Sequence, residues 1–161
     1  MEEKQNFQTF QGSNSNIIKP KNELEVSAII KECYDSSIPI ELYGKGSKRK
    51  IGKPTETERA LDFSEFSGIN EYLPEELYIS VKPGTPIFLI EEELKKNNQC
   101  LAFEPIDFGY LFYGKSNYGT AAGHVACNIA GPRRLSIGSI RDHVLGFRGV
   151  NGRGEIIKSG G

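Results

Sequence analysis

Two segments in which most side chains are small constrain this chain more than anything else in it. The first is Gly44-Lys45-Gly46-Ser47. The second runs Gly119-Thr120-Ala121-Ala122-Gly123-His124-Val125-Ala126-Cys127-Asn128-Ile129-Ala130-Gly131 and closes with Pro132-Arg133-Arg134. Residues without bulk are needed where main chain comes close to something, and glycine also reaches backbone angles that other residues avoid. Eighteen glycines in 161 residues exceed the ~7% of an ordinary domain, and they gather from Gly109 onward. Any fold of this chain must therefore bring backbone against backbone, or backbone against a ligand, at two places.

The first loop follows Ile38-Pro39-Ile40-Glu41-Leu42-Tyr43, which reads as a strand. Successive amides around Gly44 and Gly46 can converge on one concavity, a nest suited to a diphosphate. The loop is neither a P-loop, whose GxxxxGK[ST] spacing is absent, nor a Rossmann turn, whose third glycine is missing. Read alone, it is equally a solvated basic hairpin tip. The second segment suits a helix start pressed against a flat ligand, or a tight helix–sheet contact. His124 and Cys127 have half the spacing of a metal site, but no second pair exists, so no metal is expected. His124 reads as a packed or polar histidine. Asp142, in Ser139-Ile140-Arg141-Asp142-His143, is expected to bond the preceding loop or Arg134.

The remaining pattern mixes helices and strands, an α+β class. Residues 1–15 are polar and read as a disordered lead-in. Ile17-Ile18 is a short strand. Asn22 and Glu25 form a capping box for a helix over 23–35, closed by Ser36-Ser37. Strands are expected at 60–63, 69–73 and 77–81. Thr85 is expected to cap a helix beginning at Pro86, with Phe88, Leu89, Ile90 and Leu94 as its apolar face, ending at Asn97-Asn98. Leu101-Ala102-Phe103 is expected to be a brief strand and 104–118 an irregular aromatic loop. A hairpin closes the chain, with strands 144–150 and Ile156-Ile157 about the turn Asn151-Gly152-Arg153-Gly154.

Twenty cations against 21 anions leave a net charge of −1, so no global field draws the chain to nucleic acid. The basic run Lys45, Lys48, Arg49, Lys50 and Lys53 also lacks interleaved aromatics, and nucleic acid is not an expected partner. Cys33, Cys100 and Cys127 are odd in number and far apart, and read as reduced core thiols of a cytoplasmic protein. No stretch approaches the ~18 apolar residues of a membrane span.

Several short motifs in this order carry a resemblance that none carries alone. They are Pro20, Glu25-Val26, Gly44-Lys45-Gly46-Ser47, Leu61-Asp62-Phe63-Ser64, Pro83-Gly84-Thr85-Pro86 and Phe103-Glu104-Pro105, then Gly119 to Arg134, Ser139 to Gly146, and Asn151-Gly152-Arg153-Gly154-Glu155-Ile156. Together they resemble the PCMH-type FAD-binding domain of the vanillyl-alcohol oxidase flavoprotein superfamily, and within it the FAD-binding subunit of bacterial glycolate oxidase. The resemblance implies a PCMH-type fold of two small α/β subdomains over 16–161, the second incomplete and a cap domain absent. It implies that Tyr43, Gly44, Lys45, Gly46, Ser47 and Lys48 cradle the FAD pyrophosphate. Gly119, Thr120, Ala121, Ala122 and Gly123 would lie along the cofactor, with Asn128 and Gly131 in the same stretch. Asp142, Val144, Gly146 and Ile156 would stand near the flavin or adenine.

Relatives with covalent flavin often carry a histidine in the first loop; none stands here, so noncovalent FAD is expected. The implied chemistry is oxidation of a small 2-hydroxy acid such as glycolate. Partner subunits would include an iron–sulfur protein and could hold the assembly at a membrane. No catalytic residue carries over, because the family places those beyond the matching region. The alternative is a non-catalytic truncated fragment that binds FAD weakly or not at all.

Overall fold

A computed structural model describes residues 16–53 and 55–160. The lead-in expected over 1–15 lies outside the described residues. Among the described residues seven strands and five helices follow one another: β1 Asn16–Ile18, α1 Glu23–Asp35, β2 Ile40–Tyr43, β3 Arg59–Asp62, β4 Ile69–Leu73, β5 Tyr78–Val81, α2 Ile87–Lys95, α3 Phe108–Tyr113, α4 Ala121–Cys127, α5 Arg134–Ile137, β6 Phe147–Val150 and β7 Ile156–Ser159. The α+β expectation stands, and the elements gather around two cores.

The first core is a parallel sheet in the order β1-β3-β2 with α1 packed on it. Val26 and Ile30, a turn apart on α1, meet Leu61 of β3, with Ile18, Ile40, Phe63, Phe66 and Val150 around them. Asn22 caps α1 as its sequence predicts: its side chain accepts from the Glu25 amide at 2.9 Å. Glu25 reaches one residue further back than a capping box requires, to the Lys21 amide at 2.8 Å. Because all three strands are parallel, Ile18, Tyr43 and Asp62 end at the same edge, and the Gly44 loop leaves from it.

The second core sets α2 on the antiparallel pair β4-β5. Ile87, Ile90 and Leu94 pack against Tyr72, Ile79, Val81 and Leu101, and Ala121 brings α4 onto the same cluster. A third unit, the antiparallel hairpin β6-β7, lies against α1.

Six expectations need correction. Leu89, expected on the apolar face of α2, is exposed, and Ile87 packs in the core with Ile90 and Leu94. Thr85 does not cap α2; Pro86 holds the cap position with extended backbone. The Thr85 hydroxyl is buried and bonds the Gly68 amide and the carbonyls of Gly68 and Lys82. Leu101 to Phe103 is not a strand, because no edge is offered to it; Pro105 instead makes a lone bridge to Ala130. The 104–118 loop contains α3, capped by the Asp107 side chain on the Gly109 amide and ended by Gly114 at φ +61°. The strand expected from Val144 begins only at Phe147, since a 3-10 turn over Ile140–His143 delays it. Of the three thiols only Cys33 is buried; Cys100 and Cys127 are exposed.

Candidate functional site

The chain leaves β2 at Tyr43 and turns at once through Gly44 to Lys48. Gly46 takes φ +73°, the left-handed region that disfavours a side chain. The Arg49 amide donates to the Gly46 carbonyl and the Ile51 amide to that of Lys48. The amides of Lys45, Gly46, Ser47 and Lys48 donate to no main-chain carbonyl among the described residues. Four consecutive donors are thus left beside a left-handed glycine, the backbone pattern of an anion nest.

The cations of this loop are engaged elsewhere. Lys45 donates to the Asn117 carbonyl at 3.3 Å and lies 5.5 Å from the Phe88 ring centre. Arg49 pairs with Glu41 and stacks 4.8 Å over Tyr43. Lys50 donates to the Phe112 carbonyl at 2.8 Å and lies 4.5 Å over Tyr113. The Tyr113 hydroxyl in turn donates to the Gly46 carbonyl at 3.3 Å. Lys48 sits near Phe108, and burial pushes its pKa below the usual lysine range against the opposing pull of Cys127 and Asp107. The basic side chains therefore fasten the loop to α3 and its neighbours, while its amides stay open.

The second small-residue segment meets the first. A Cβ on Gly44 would come within 2.4 Å of Thr120 Oγ1, so only a residue without a side chain lets the two backbones approach this closely. The start of α4 is stitched to the Pro83–Thr85 turn: Ala121 N–H donates to the Thr85 carbonyl at 2.8 Å and Ala122 N–H to the Pro83 carbonyl at 3.1 Å. The Gly119 carbonyl accepts from the Ile87 amide. Two of the helix's leading donors are consumed in this way, so α4 offers a packed ledge of small residues rather than a free amide end. A Cβ on Gly119 would lie 2.1 Å from the His124 ring.

His124 fixes this ledge. It is 2% exposed, with Nδ1 2.9 Å from the Thr120 carbonyl and Nε2 3.1 Å from that of Ile106. Burial pushes its pKa below the ordinary histidine value, opposed first by the Thr120 carbonyl. A groove of about 60 Å³ runs beside it, lined by Phe88, Glu91, Asp107, Asn117 and Gly119 among others. Partial desolvation raises the Glu91 carboxyl from its ordinary value, although the residue is exposed.

The other residues singled out from the sequence lie further along the chain. Asn128 ends α4 in the left-handed region and accepts from the Arg141 amide at 3.0 Å. Gly131 packs on Glu104, whose carbonyl accepts from its amide. Asp142 turns back to Ser139, accepting from its amide at 2.7 Å and its hydroxyl at 2.8 Å; its ion pair is with Arg141, not Arg134. Val144 is half-buried, Gly146 packs on Ser159 and Gly160, and Ile156 is an exposed β7 residue. The structure thus joins 43–48 to 119–124, and Asn128 to the turn holding Asp142. Gly146 and Ile156 belong to the closing hairpin. The sequence reading missed Phe108, Tyr113 and Asn117, which seat the loop; Asp107 and Gly114, seven residues apart with helix-cap chemistry, were the available signal.

A ligand that fits must offer charge to open amides and a flat face to a small-residue ledge, and FAD has both. Residues 15–160 match the family described as FAD binding domain. The chain is 37% identical to glycolate oxidase subunit GlcE of Escherichia coli (strain K12) over 132 residues, 82% of this chain and 35% of that protein. It is 29% identical to glycolate oxidase subunit GlcD of Bacillus subtilis (strain 168), over 94% of this chain and 31% of that one. It is also 29% identical to the D-lactate dehydrogenase of Archaeoglobus fulgidus, over 90% and 31%. The chain spans about a third of the length of these relatives. Among solved structures, alkyldihydroxyacetonephosphate synthase superposes with a TM-score of 0.72 at 21% identity, covering 89% of this chain and 26% of that one, which shows the fold. The chain belongs to the FAD binding domain family and carries its PCMH-type fold.

Proposed function

We propose that this chain binds FAD noncovalently, gripping the pyrophosphate with the main-chain amides of Lys45 to Lys48. The observation that carries the reading is the combination of four open amides with loop cations, Lys45, Arg49 and Lys50, that are each bonded to protein groups. Gly46 keeps the nest's curvature, Tyr43 and Gly44 set its distance from β2, and Gly119 to Gly123 supply the ledge for the cofactor's flat part. Asn128, which bonds the turn holding Asp142, and Gly131 flank that ledge, and the resemblance assigns Asp142, Val144, Gly146 and Ile156 to the flavin or adenine end. When bound, the flavin supplies hydride chemistry; the chain supplies grip, orientation and exclusion of water.

The relatives named for glycolate and D-lactate support an oxidoreductase acting on a small 2-hydroxy acid. The word subunit in two of those names supports assembly with further subunits, and the family resemblance implies an iron–sulfur protein as one of them. Among the described residues no helix is long and apolar enough to cross a membrane, and a cytoplasmic site, with or without membrane attachment through partners, is the proposed location. The test is direct. Purified chain is titrated with FAD while flavin fluorescence is followed. Saturable quenching, with release of all flavin on acid precipitation, is expected. No quenching removes the reading for this chain, and flavin retained on the precipitate removes its noncovalent part.

A further inference from the structure

The turn between β6 and β7 carries Asn151-Gly152, the one Asn-Gly step in the sequence. The side-chain amide of an asparagine is an electrophile, and the backbone nitrogen that follows can close a five-membered ring on it. A glycine in second place has no side chain to hinder that approach. Gly152 is exposed, and nothing lies within 4 Å of where its Cβ would stand. Its amide donates to no carbonyl or side chain among the described residues. The nucleophile of the reaction is thus open to solvent and unheld.

The electrophile is held at every polar atom. Asn151 Oδ1 accepts from the Arg153 amide at 2.9 Å, an Asx-turn, and from the Glu155 amide at 3.0 Å. Asn151 Nδ2 donates to Glu155 Oε2 at 2.6 Å, a bond to a charged group and so the strongest of the three. Ring closure must rotate the planar amide and turn Cγ tetrahedral, and three bonds that fix the amide plane oppose both. The main chain adds its own bonds: Asn151 N–H donates to the Glu155 carbonyl at 2.9 Å and Gly154 N–H to the Asn151 carbonyl at 3.0 Å. From behind, the Ser27 hydroxyl of α1 donates to the Gly154 carbonyl, and a Cβ on Gly154 would lie 2.7 Å from Lys31 Cβ.

We propose that Asn151 is a deamidation site held shut by Glu155, and that its modification opens the hairpin turn irreversibly. When the turn frays, the Gly152 nitrogen attacks Asn151 Cγ. The N–Cγ bond forms, the Cγ–Nδ2 bond breaks, and ammonia leaves with the proton that the Gly152 N–H gives up. Water then opens the imide at either carbonyl, leaving aspartate or isoaspartate. The sum is amide and water to acid and ammonia, with no change of oxidation state. The new carboxylate has neither of the donors that Nδ2 had. It would set an oxygen against Glu155 Oε2, where donor and acceptor stood 2.6 Å apart, and two carboxylates do not both stay charged at such a distance. Isoaspartate also adds a methylene to the main chain of the turn. This inference stands independently of FAD binding.

Ageing of the whole chain at mildly alkaline pH tests it, with peptide mapping by mass spectrometry to count the acid forms at Asn151. A synthetic peptide of residues 148–157 gives the unheld rate. The folded chain is expected to deamidate there at least about tenfold more slowly than the peptide. Glu155→Ala is expected to recover most of that factor, while Glu155→Gln, which keeps an acceptor for Nδ2, stays within about threefold of the parent. Asn151→Asp reports the product. Hydrogen exchange at the amides of position 151 and Gly154 is expected to quicken about tenfold in it, and adding Glu155→Gln is expected to slow it again. A parent that matches the peptide, or a Glu155→Ala chain no faster than the parent, overturns the proposal. So does unchanged exchange in Asn151→Asp. Acceleration in Glu155→Ala with protection also lost at the Ile30 amide, inside α1, overturns the part given to Glu155, since the fold at large is then what holds Asn151.

Discussion

Gly46 and Lys48 stand two positions apart and separate two ways of holding a phosphate. Gly46 shapes the nest at φ +73°, and a Cβ there would also lie 3.1 Å from Arg49. Gly46→Val is expected to turn one or two amides away. At about 1.5–3 kcal/mol for each bond to a charged group, FAD affinity falls roughly tenfold to a hundredfold for one lost bond and up to about ten-thousandfold for two. Lys48→Ala is expected to cost about threefold or less, because its amine lies against Phe108, Cys127 and Asp107. Calorimetric titration of both variants decides; equal losses make the site charge-driven. His124 gives a pH test. Its folded pKa is lowered by burial, from an unfolded value of about 6.5. The native state therefore binds the proton less readily, and stability is lost as the pH falls through ~6.5 toward the folded value. Urea midpoints between about pH 7 and pH 5 are expected to drop less in His124→Gln than in the parent.

At the level of elements, the key contact is the β2 loop against the start of α4. Gly44→Ala would place a Cβ 2.4 Å from Thr120 Oγ1 and 2.9 Å from its Cγ2, but 3.2 Å from its Cβ. Overpacking of this kind costs about 1–3 kcal/mol. Thr120→Ala removes the two nearest atoms, so the pair is expected to recover most of that loss in a double-mutant cycle read by urea unfolding. Additive effects would mean that the two segments do not touch. That they are joined at all was only partly legible in the sequence. The capped helix α1 could be read from Asn22 and the spacing of Ile30 and Cys33, because those signals are local. Motif order placed the loop and the ledge in one site. Helix α3 was hidden because its turn is made by Gly and aromatics, with no apolar period of helical length; its support comes from Asp107 and from cations of a loop some sixty residues away. The failed strand at Leu101 and the exposed Cys100 and Cys127 share a cause. Apolar or sulfur-bearing side chains suggest burial, but which surface is covered depends on elements distant in sequence.

For the whole molecule, the question is how two small cores act as one unit. Gly84 is where they are welded. Its amide donates to the Phe66 carbonyl at 2.9 Å, and a Cβ on it would fall 1.9 Å from the Phe63 carbonyl oxygen. Next to it, Thr85 is 1% exposed and ties Gly68 to Lys82 through one hydroxyl. Gly84→Ala cannot be absorbed by a side-chain shift, because the atoms it meets are backbone of the turn that follows β3. The turn must move, and α2 and α4 move with it. The variant is expected to lose about 1–3 kcal/mol and its single unfolding transition. Far-ultraviolet dichroism and tyrosine fluorescence, which coincide for a two-state domain, are expected to separate as the cores unfold independently. Saturating FAD is expected to bring the two curves back together. In the proposed binding mode it bridges the β2 loop of one core and the α4 ledge of the other, and a ligand that binds only the joined state stabilises that state by mass action. A Gly84→Ala chain that keeps one coincident transition without FAD would show that the cores are coupled elsewhere, and the Gly44–Thr120 contact would then be the next joint to open.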